Sequence, residues 1–154
     1  MTDTAPADTA PSGSARPALG GFHHFSATVN DVEDSAAWYE RVLGLQRIPA
    51  SFPHADEARS GYGVVLLDAQ SGVILGLHHH EGHERAPADE RRTGLDHIAF
   101  AVPERADLDR WAEWLDGLGI AHRGVVDETD PMPYSVLVFR DPDNIQLELA
   151  HMPG

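Results

Sequence analysis

Residues 21–29 read GFHHFSATV, and they align without a gap with residues 94–102, which read GLDHIAFAV. In this alignment His24 coincides with His97. Both stretches are short, rich in β-branched and aromatic residues, and followed by a helix-start signal, which predicts a strand that leads into a helix. The chain therefore contains two copies of one structural module.

A helix pattern follows each of these strands. In the first copy the apolar residues recur at i, i+4, i+7 and i+11, and they are Val32, Ala36, Tyr39 and Leu43. Asn30 or Asp31 precedes them as a candidate N-cap, and Gly44 follows as a terminator. In the second copy the apolar stripe consists of Leu108, Trp111, Leu115 and Leu118, and Gly119 ends it. Each helix is therefore amphipathic and faces a core on one side.

Two strand-like runs after each helix also align without a gap. Residues 62–67 match residues 134–139, and residues 73–77 match residues 145–149, so that Gly76 coincides with Glu148. A further strand before these runs has the weakest pattern, and we expect it at about residues 45–51 and 121–126. The turn Asp141-Pro142-Asp143-Asn144 in the second copy places proline where a type I turn favours it. Each module is thus predicted to be strand, helix, strand, strand, strand.

The length and local composition predict the domain organisation. A chain of 154 residues can bury one sizeable core. Residues 1–20 are rich in Ala, Pro, Thr, Asp and Ser and are expected to form a disordered tail. We expect residues 21–154 to form a single domain, with the first module at about 21–80, a polar linker at about 81–93 and the second module at about 94–152.

Charge and cysteine content exclude several classes of function. The net charge of −14 argues against nucleic-acid and membrane-surface partners, because it repels phosphate groups. The chain has no cysteine, so that any metal must be held by histidine and carboxylate side chains. We find neither a signal-peptide pattern nor an apolar run of the roughly 20 residues that span a bilayer. A cytoplasmic location is therefore expected.

The repeat also predicts a site. His24 and His97 occupy equivalent positions, so that a pseudo-twofold axis between the modules can bring them together. Glu148 lies within an otherwise apolar strand, where a buried carboxylate needs a partner, and a metal ion would supply one. Strand alternation places small or polar residues beside these side chains, which leaves room for a cavity, and they are Ser26, Thr28, Ala99, Ala101, Gln146 and Ala150.

A less specific interpretation competes with this one. A single histidine in a strand is more often a hydrogen-bonded core residue than a metal ligand. Two repeat-matched histidines together with a glutamate favour the metal site. The tract His78-His79-His80, with His83 after it, also resembles a metal site. Because alternate strand residues point to opposite faces, we interpret this tract as a solvated strand end.

Three segments carry a resemblance to a known family. Residues 24–45 resemble the opening of vicinal oxygen chelate proteins, which include glyoxalase I, extradiol dioxygenases, methylmalonyl-CoA epimerase, and fosfomycin and bleomycin resistance proteins. Residues 94–100 and 139–148 resemble the second histidine strand and the closing glutamate strand of that family. The resemblance implies an α+β fold, in which two paired βαβββ modules form one open cup-like mixed sheet around a divalent metal. The implied metal ligands are His24, His97 and Glu148.

The family commonly supplies a fourth ligand from the position that Gly76 occupies here, and glycine has no side chain to offer. His78 lies two residues further along the same strand face and is a candidate for a base or a pocket residue. Alternation along the strands assigns the rest of the substrate pocket to Ser26, Thr28, Ile74, Gly76 and Gln146.

Three functions remain open at this point. The first is an enzyme whose small-molecule substrate chelates the metal through neighbouring oxygens, and the vacancy at Gly76 favours dioxygenase-like chemistry. The second is a lyase or isomerase of the glyoxalase or epimerase type, and the third is a non-catalytic sequestering protein of the bleomycin-resistance type. The metal can be Fe, Mn, Zn, Ni or Co. The resemblance further implies a homodimer, with modules that pair either within one chain or by exchange between two.

Overall fold

The computed structural model describes residues 17–54, 58 and 60–154. Residues 1–16, which make up most of the predicted N-terminal tail, lie outside the described residues. The elements follow one another in the order β1 (Phe25–Thr28), α1 (Val32–Leu43), β2 (Gln46–Pro53), β3 (Gly61–Asp68), β4 (Val73–His80), β5 (His97–Ala101), α2 (Arg105–Gly117), β6 (Val125–Glu128), β7 (Tyr134–Arg140) and β8 (Gln146–His151). Among the described helices, none is long and apolar enough to cross a lipid bilayer.

The strands form two four-stranded mixed sheets with the same topology. Their orders are β1-β4-β3-β2 and β5-β8-β7-β6. In each sheet the first strand pairs in parallel with the last, and the other pairings are antiparallel. The predicted α+β fold with two βαβββ modules is confirmed. The prediction was one open cup-like sheet, whereas the backbone hydrogen bonds form a separate sheet in each module.

Local sequence signals explain the helix ends. The carboxylate of Asp31 accepts hydrogen bonds from the backbone N–H groups of Glu33 and Asp34, so that Asp31 is the N-cap of α1. Gly44 ends α1 in the left-handed conformation, with φ of 70°. At the start of α2, the Asp107 carboxylate accepts a hydrogen bond of 2.9 Å from the backbone N–H of Glu104.

The second strand of each module differs from its prediction. In the first module β2 runs two residues further than expected, to Pro53, and its register against β3 shifts between Arg47 and Ser51. In the second module β6 begins only at Val125. Gly124 has φ of 82°. Its backbone N–H donates to the imidazole of His122, and this local hydrogen bond lies where a strand was expected.

Each helix covers one face of its own sheet. Along β7 the residues that face α2 are buried, namely Ser135, Leu137 and Phe139, whereas those between them are only half-buried. Along β1 Ala27 is buried, whereas Ser26 and Thr28 are exposed. We call the side opposite the helix the open face of a sheet. The hydrophobic core thus lies between the helices and sheets, and the open faces carry the candidate site residues.

The turn between β7 and β8 connects the two modules through buried carboxylates. Asp143 accepts hydrogen bonds from the backbone N–H and the side-chain amide of Asn30, at 3.1 and 2.5 Å, and from the Ser35 hydroxyl at 3.2 Å. Asp141 accepts from the Tyr39 hydroxyl at 2.9 Å. Burial raises the pKa of the Asp141 carboxyl, and its hydrogen bonds from Ile145 and Tyr39 oppose that shift. These contacts fix α1 against the second module.

The segment between the modules is attached to the same turn. The backbone N–H of Ala88 donates to the Asp143 carbonyl at 2.7 Å, and the Asn144 side chain donates to the Ala88 carbonyl at 2.7 Å. Both terminal nitrogens of Arg140 donate to the Glu90 carboxylate. The linker therefore packs on the second module at residues 88–90, although its composition predicted an exposed connection.

Candidate metal site and its surroundings

The strand registers place the two modules' site positions equivalently. Ser26 pairs with Gly76 between β1 and β4, and Ala99 pairs with Glu148 between β5 and β8. His24 and His97 each lie two residues before those β1 and β5 partners. The equivalence of Gly76 and Glu148, which the repeat predicted, therefore holds in the sheet geometry. Each module presents one histidine and one neighbouring strand position to its open face.

The second module carries a histidine and a carboxylate on one face. His97 begins β5 with its side chain 40% exposed, and its Nδ1 lies 2.6 Å from an Asp96 carboxylate oxygen. Because the Asp96 carboxylate accepts a hydrogen bond from the Nδ1–H group, Nε2 is left to bind another group. Glu148 is half-buried, not buried as the sequence argument required. Its carboxylate has no hydrogen bond or ion pair with any other described residue.

The first module contributes one histidine and no carboxylate. His24 directly precedes β1, is exposed, and has its Nδ1 at 2.7 Å from the Nδ1 of His23. At Gly76 an added Cβ would overlap the Ser26 hydroxyl and would lie 3.3 Å from Nε2 of His78. The space that a fourth ligand would enter is thus taken by Ser26 and His78.

Within one chain the three predicted ligands do not come together. Among the described residues, the histidine and carboxylate side chains that bring three donor atoms within 4.8 Å of one another are those of His54, His78 and His80. His24, His97 and Glu148 form no such group. In a single chain the predicted ligands therefore lie apart, with His24 on the first module and His97 and Glu148 on the second.

His78 has an unusual environment. Its Nδ1 is buried and has no hydrogen-bond partner. Burial lowers the pKa of His78, and the neighbouring His54, His80 and His24 lower it further. The ring is therefore held in its neutral form, which is the form that binds metals and accepts protons.

The predicted pocket residues divide between two cavities. Ser26, Thr28 and Gln146 line a cavity of about 380 Å³, together with linker residues that include Asp96. Ile74 lines a second cavity of about 480 Å³, together with His97. Gly76 lines neither cavity. Both cavities open on the junction between the modules, next to the predicted ligands.

Comparison with known families agrees with this architecture. The sequence model of the glyoxalase/bleomycin resistance protein/dioxygenase superfamily matches residues 21–149. The chain belongs to this superfamily. It is 33% identical over 132 residues to the uncharacterized protein YwkD of Bacillus subtilis, an alignment that covers 85% of this chain and 96% of that protein. The resemblance found in the sequence is thus confirmed.

Two further proteins are similar to this chain. The putative ring-cleaving dioxygenase MhqA of Bacillus subtilis is 24% identical over 90 residues, which cover 58% of this chain and 28% of that protein. A solved glyoxylase/bleomycin resistance protein/dioxygenase domain from Frankia sp. EAN1pec is 29% identical with a TM-score of 0.75 and covers 88% of this chain and 100% of that domain. The superfamily includes many enzymes, and its members typically bind a divalent metal.

The donor chemistry of this chain fits such a metal. Two imidazoles and one carboxylate suit divalent Fe, Mn, Zn, Ni and Co. The contact between Asp96 and His97 is the carboxylate–histidine arrangement that orients metal-binding imidazoles. The Glu148 carboxylate, which has no partner among the described residues, is available for a cation. The side chains that would hold the metal are therefore His24, His97 and Glu148.

The structure also contains a group that sequence reasoning missed. The tract at residues 78–80 was interpreted as a solvated strand end, because its members alternate between faces. Alternation does place His79 on the other face, but it leaves His78 and His80 together, and His54 joins them from the end of β2. The pairing of β2 with β3 and of β3 with β4, which brings His54 close, has no signature in the sequence.

Proposed function

We propose that the chain is a divalent-metal-dependent enzyme, whose small-molecule substrate binds the metal through two neighbouring oxygens. The observation that carries this proposal is the equivalent placement of His24 and His97 on two open faces, with Glu148 beside His97 and glycine at the matching position of the first module. Three protein ligands leave coordination positions for a bidentate substrate.

We further propose that each metal lies between two copies of the chain. Within one chain the three ligands do not form a group of neighbouring donor atoms, and the three side chains are exposed or half-buried. In a homodimer with twofold symmetry, His24 of one copy meets His97 and Glu148 of the other, and the arrangement occurs twice. This choice corresponds to exchange of modules between chains.

Dioxygenase chemistry is the reaction type that we favour. Two histidines and one carboxylate with open positions are typical of non-haem Fe(II) oxygenases, and the similarity to MhqA points the same way. The metal, when bound, polarises the substrate oxygens and, as Fe(II), also engages dioxygen. Asp96 fixes the orientation of His97. Of the two roles left open for His78, we propose the pocket residue, since its Nε2 lies over Gly76.

Metal binding tests the site. Chain purified without a metal-affinity tag is expected to bind one divalent ion at this site, and the variants His24→Ala, His97→Ala and Glu148→Ala are each expected to lose at least about 100-fold in affinity, because loss of a supporting residue alone costs about 10–100-fold. Each variant should keep the wild-type circular dichroism spectrum, since the three side chains lie outside the hydrophobic core. Full-affinity binding in all three variants would contradict the ligand set.

Mixed dimers test the placement between copies. A hybrid of one His24→Ala chain and one Glu148→Ala chain, isolated through two different cleavable tags, contains one site with all three ligands intact if the site spans two copies. It is then expected to bind one ion per two chains at this site with wild-type affinity, whereas each variant alone binds none at this site. If the ligands of one site came from one chain, the hybrid would have no intact copy of this site and would bind nothing there at wild-type affinity.

Oxygen uptake tests the reaction type. We expect Fe(II)-loaded protein to consume dioxygen in the presence of at least one member of a panel of aromatic diols, and we expect the Glu148→Ala variant to lose this activity. The His79→Gln variant serves as a matched control, because His79 lies on the opposite face of β4. Metal binding without oxygen uptake across the panel would exclude ring cleavage of these diols and would favour a lyase or isomerase reaction.

A further inference from the structure

Three histidines lie close together on the open face of the first module, at the C-terminal end of β4. His54 follows β2, and His78 and His80 lie on the same face of β4. The ring centroids of His54 and His80 are 4.1 Å apart, those of His54 and His78 are 5.6 Å apart, and those of His78 and His80 are 6.3 Å apart. One donor nitrogen from each ring lies within 4.8 Å of the other two.

One of these rings packs against a glycine on the neighbouring strand. Gly63 pairs with His78 across β3 and β4, and a Cβ at Gly63 would lie 2.7–2.9 Å from three atoms of the His78 ring. The ring therefore rests directly on the Gly63 backbone, and a side chain at this position would displace the ring from there. This packing limits the rotation of the His78 side chain. Part of the entropic cost of ordering this side chain around an ion is therefore already met in the folded chain.

The chemistry of the group points to a cation. The Nδ1 of His78 is buried without a hydrogen-bond partner, which is unfavourable for a polar atom unless another group binds there. The three donor atoms lie within 4.8 Å of one another, whereas tetrahedral bonds of 2.0–2.1 Å require roughly 3.4 Å, so that binding an ion would need small rotations of the half-buried His54 and His80 rings.

We propose that His54, His78 and His80 form a second metal site, which binds a divalent transition metal such as Zn²⁺ or Co²⁺ through three imidazoles. Neutral imidazole suits these ions, and three protein ligands leave a fourth position for water or a small anion. The site is separate from His24, His97 and Glu148 and does not depend on the proposed enzyme function.

The proposed site has two consequences for the first module. A bound ion would join the end of β2 to β4, two strands that are separated by β3 in the sheet. It would also fix the tautomer of His78, because the ring nitrogen that does not bind the ion keeps the proton and donates a hydrogen bond. That ring reaches over Gly76, so that occupancy of the second site fixes a side chain of the proposed substrate pocket.

The test uses the full chain with Glu148→Ala, which removes the carboxylate of the first site. Titration with Co²⁺, followed by visible absorption, is expected to give one ion per chain with the intensity of a tetrahedral site. Adding His54→Gln, His78→Gln or His80→Gln is expected to weaken binding by at least about 100-fold. Adding His79→Gln is expected to leave affinity unchanged, because His79 lies on the opposite face, near Tyr62 and His83.

Two results of the Co²⁺ titrations would overturn the proposal. The first is absence of Co²⁺ binding in the Glu148→Ala chain, and the second is equal loss of affinity in the His79→Gln and His80→Gln variants. Histidine ring NMR spectra of the Glu148→Ala chain give a measurement that needs no further variant. On addition of Zn²⁺ the signals of His54, His78 and His80 are expected to shift together while that of His79 stays in place, and the reverse pattern would also exclude the site. Failure of the first site does not change these outcomes.

Discussion

Replacement of Asp143 by alanine is expected to lower the free energy of unfolding by about 3 kcal/mol, because hydrogen bonds to a charged group contribute about 1.5–3 kcal/mol each and do not add fully. The Asp143 side chain is buried and accepts from two groups of Asn30 and from the Ser35 hydroxyl. Its removal leaves these donors unsatisfied and weakens the contact between the modules.

Urea unfolding followed by tryptophan fluorescence measures this loss, since Trp38 stacks on Phe139 at the junction of the modules. Glu113→Ala is the matched control, because this exposed helix carboxylate has no described hydrogen bond, and we expect a change within about 0.5 kcal/mol. The Asp143→Asn variant keeps one acceptor oxygen, and its free energy of unfolding should fall less than that of Asp143→Ala. A loss below about 1 kcal/mol for Asp143→Ala would show that the turn does not hold the modules together.

Gly61→Ala is expected to destabilise the chain by about 2–3 kcal/mol, in the upper part of the range for overpacked sites. An added Cβ would overlap the backbone carbonyl oxygen of His79 and would lie 3.2 Å from the Cα of His80. Both neighbours are backbone atoms of β4, so that relief requires β3 and β4 to separate. Because His80 pairs with Gly61, we expect weaker metal binding at the three-histidine group as well.

Thermal and urea unfolding of Gly61→Ala beside Gly117→Ala provide the comparison. Gly117 lies in the last turn of α2, and a Cβ there meets nothing within 4 Å. Alanine at this position should stabilise the chain by about 0.5–1 kcal/mol, because glycine is the weaker helix former. Equal stability of the two variants would mean that the strands around Gly61 move apart without cost.

Much of the fold was predictable because the chain contains two copies of the same structural module. The gapless alignment of residues 21–29 with residues 94–102 predicted the module order, and the alignment of Gly76 with Glu148 predicted that these two residues occupy equivalent strand positions. The cap at Asp31 and the stop at Gly44 follow from local chemistry and were predicted as well. A repeat is found by aligning the sequence with itself, and a helix cap depends on neighbouring residues. Both signals can therefore be read from a single sequence.

The features that were not predictable depend on contacts between distant segments. Asp141 and Asp143 were read as turn residues, and nothing in the turn sequence indicates that Tyr39 and Ser35 lie against them. His54 approaches His80 only through two successive strand pairings. The assignment of His24, His97 and Glu148 as ligands remains a prediction, because a single chain supplies only half of each proposed site.

The strand edges have a consequence for how copies of the chain meet. β2 lies at one edge, where Pro49 and Pro53 cannot donate backbone hydrogen bonds and the register shift interrupts the ladder. β6 lies at the matching edge and is only four residues long, ending in Asp127 and Glu128. Both edges resist the addition of a further strand from a neighbouring molecule. Growth into open-ended β-sheet fibres through these two edges is thereby disfavoured.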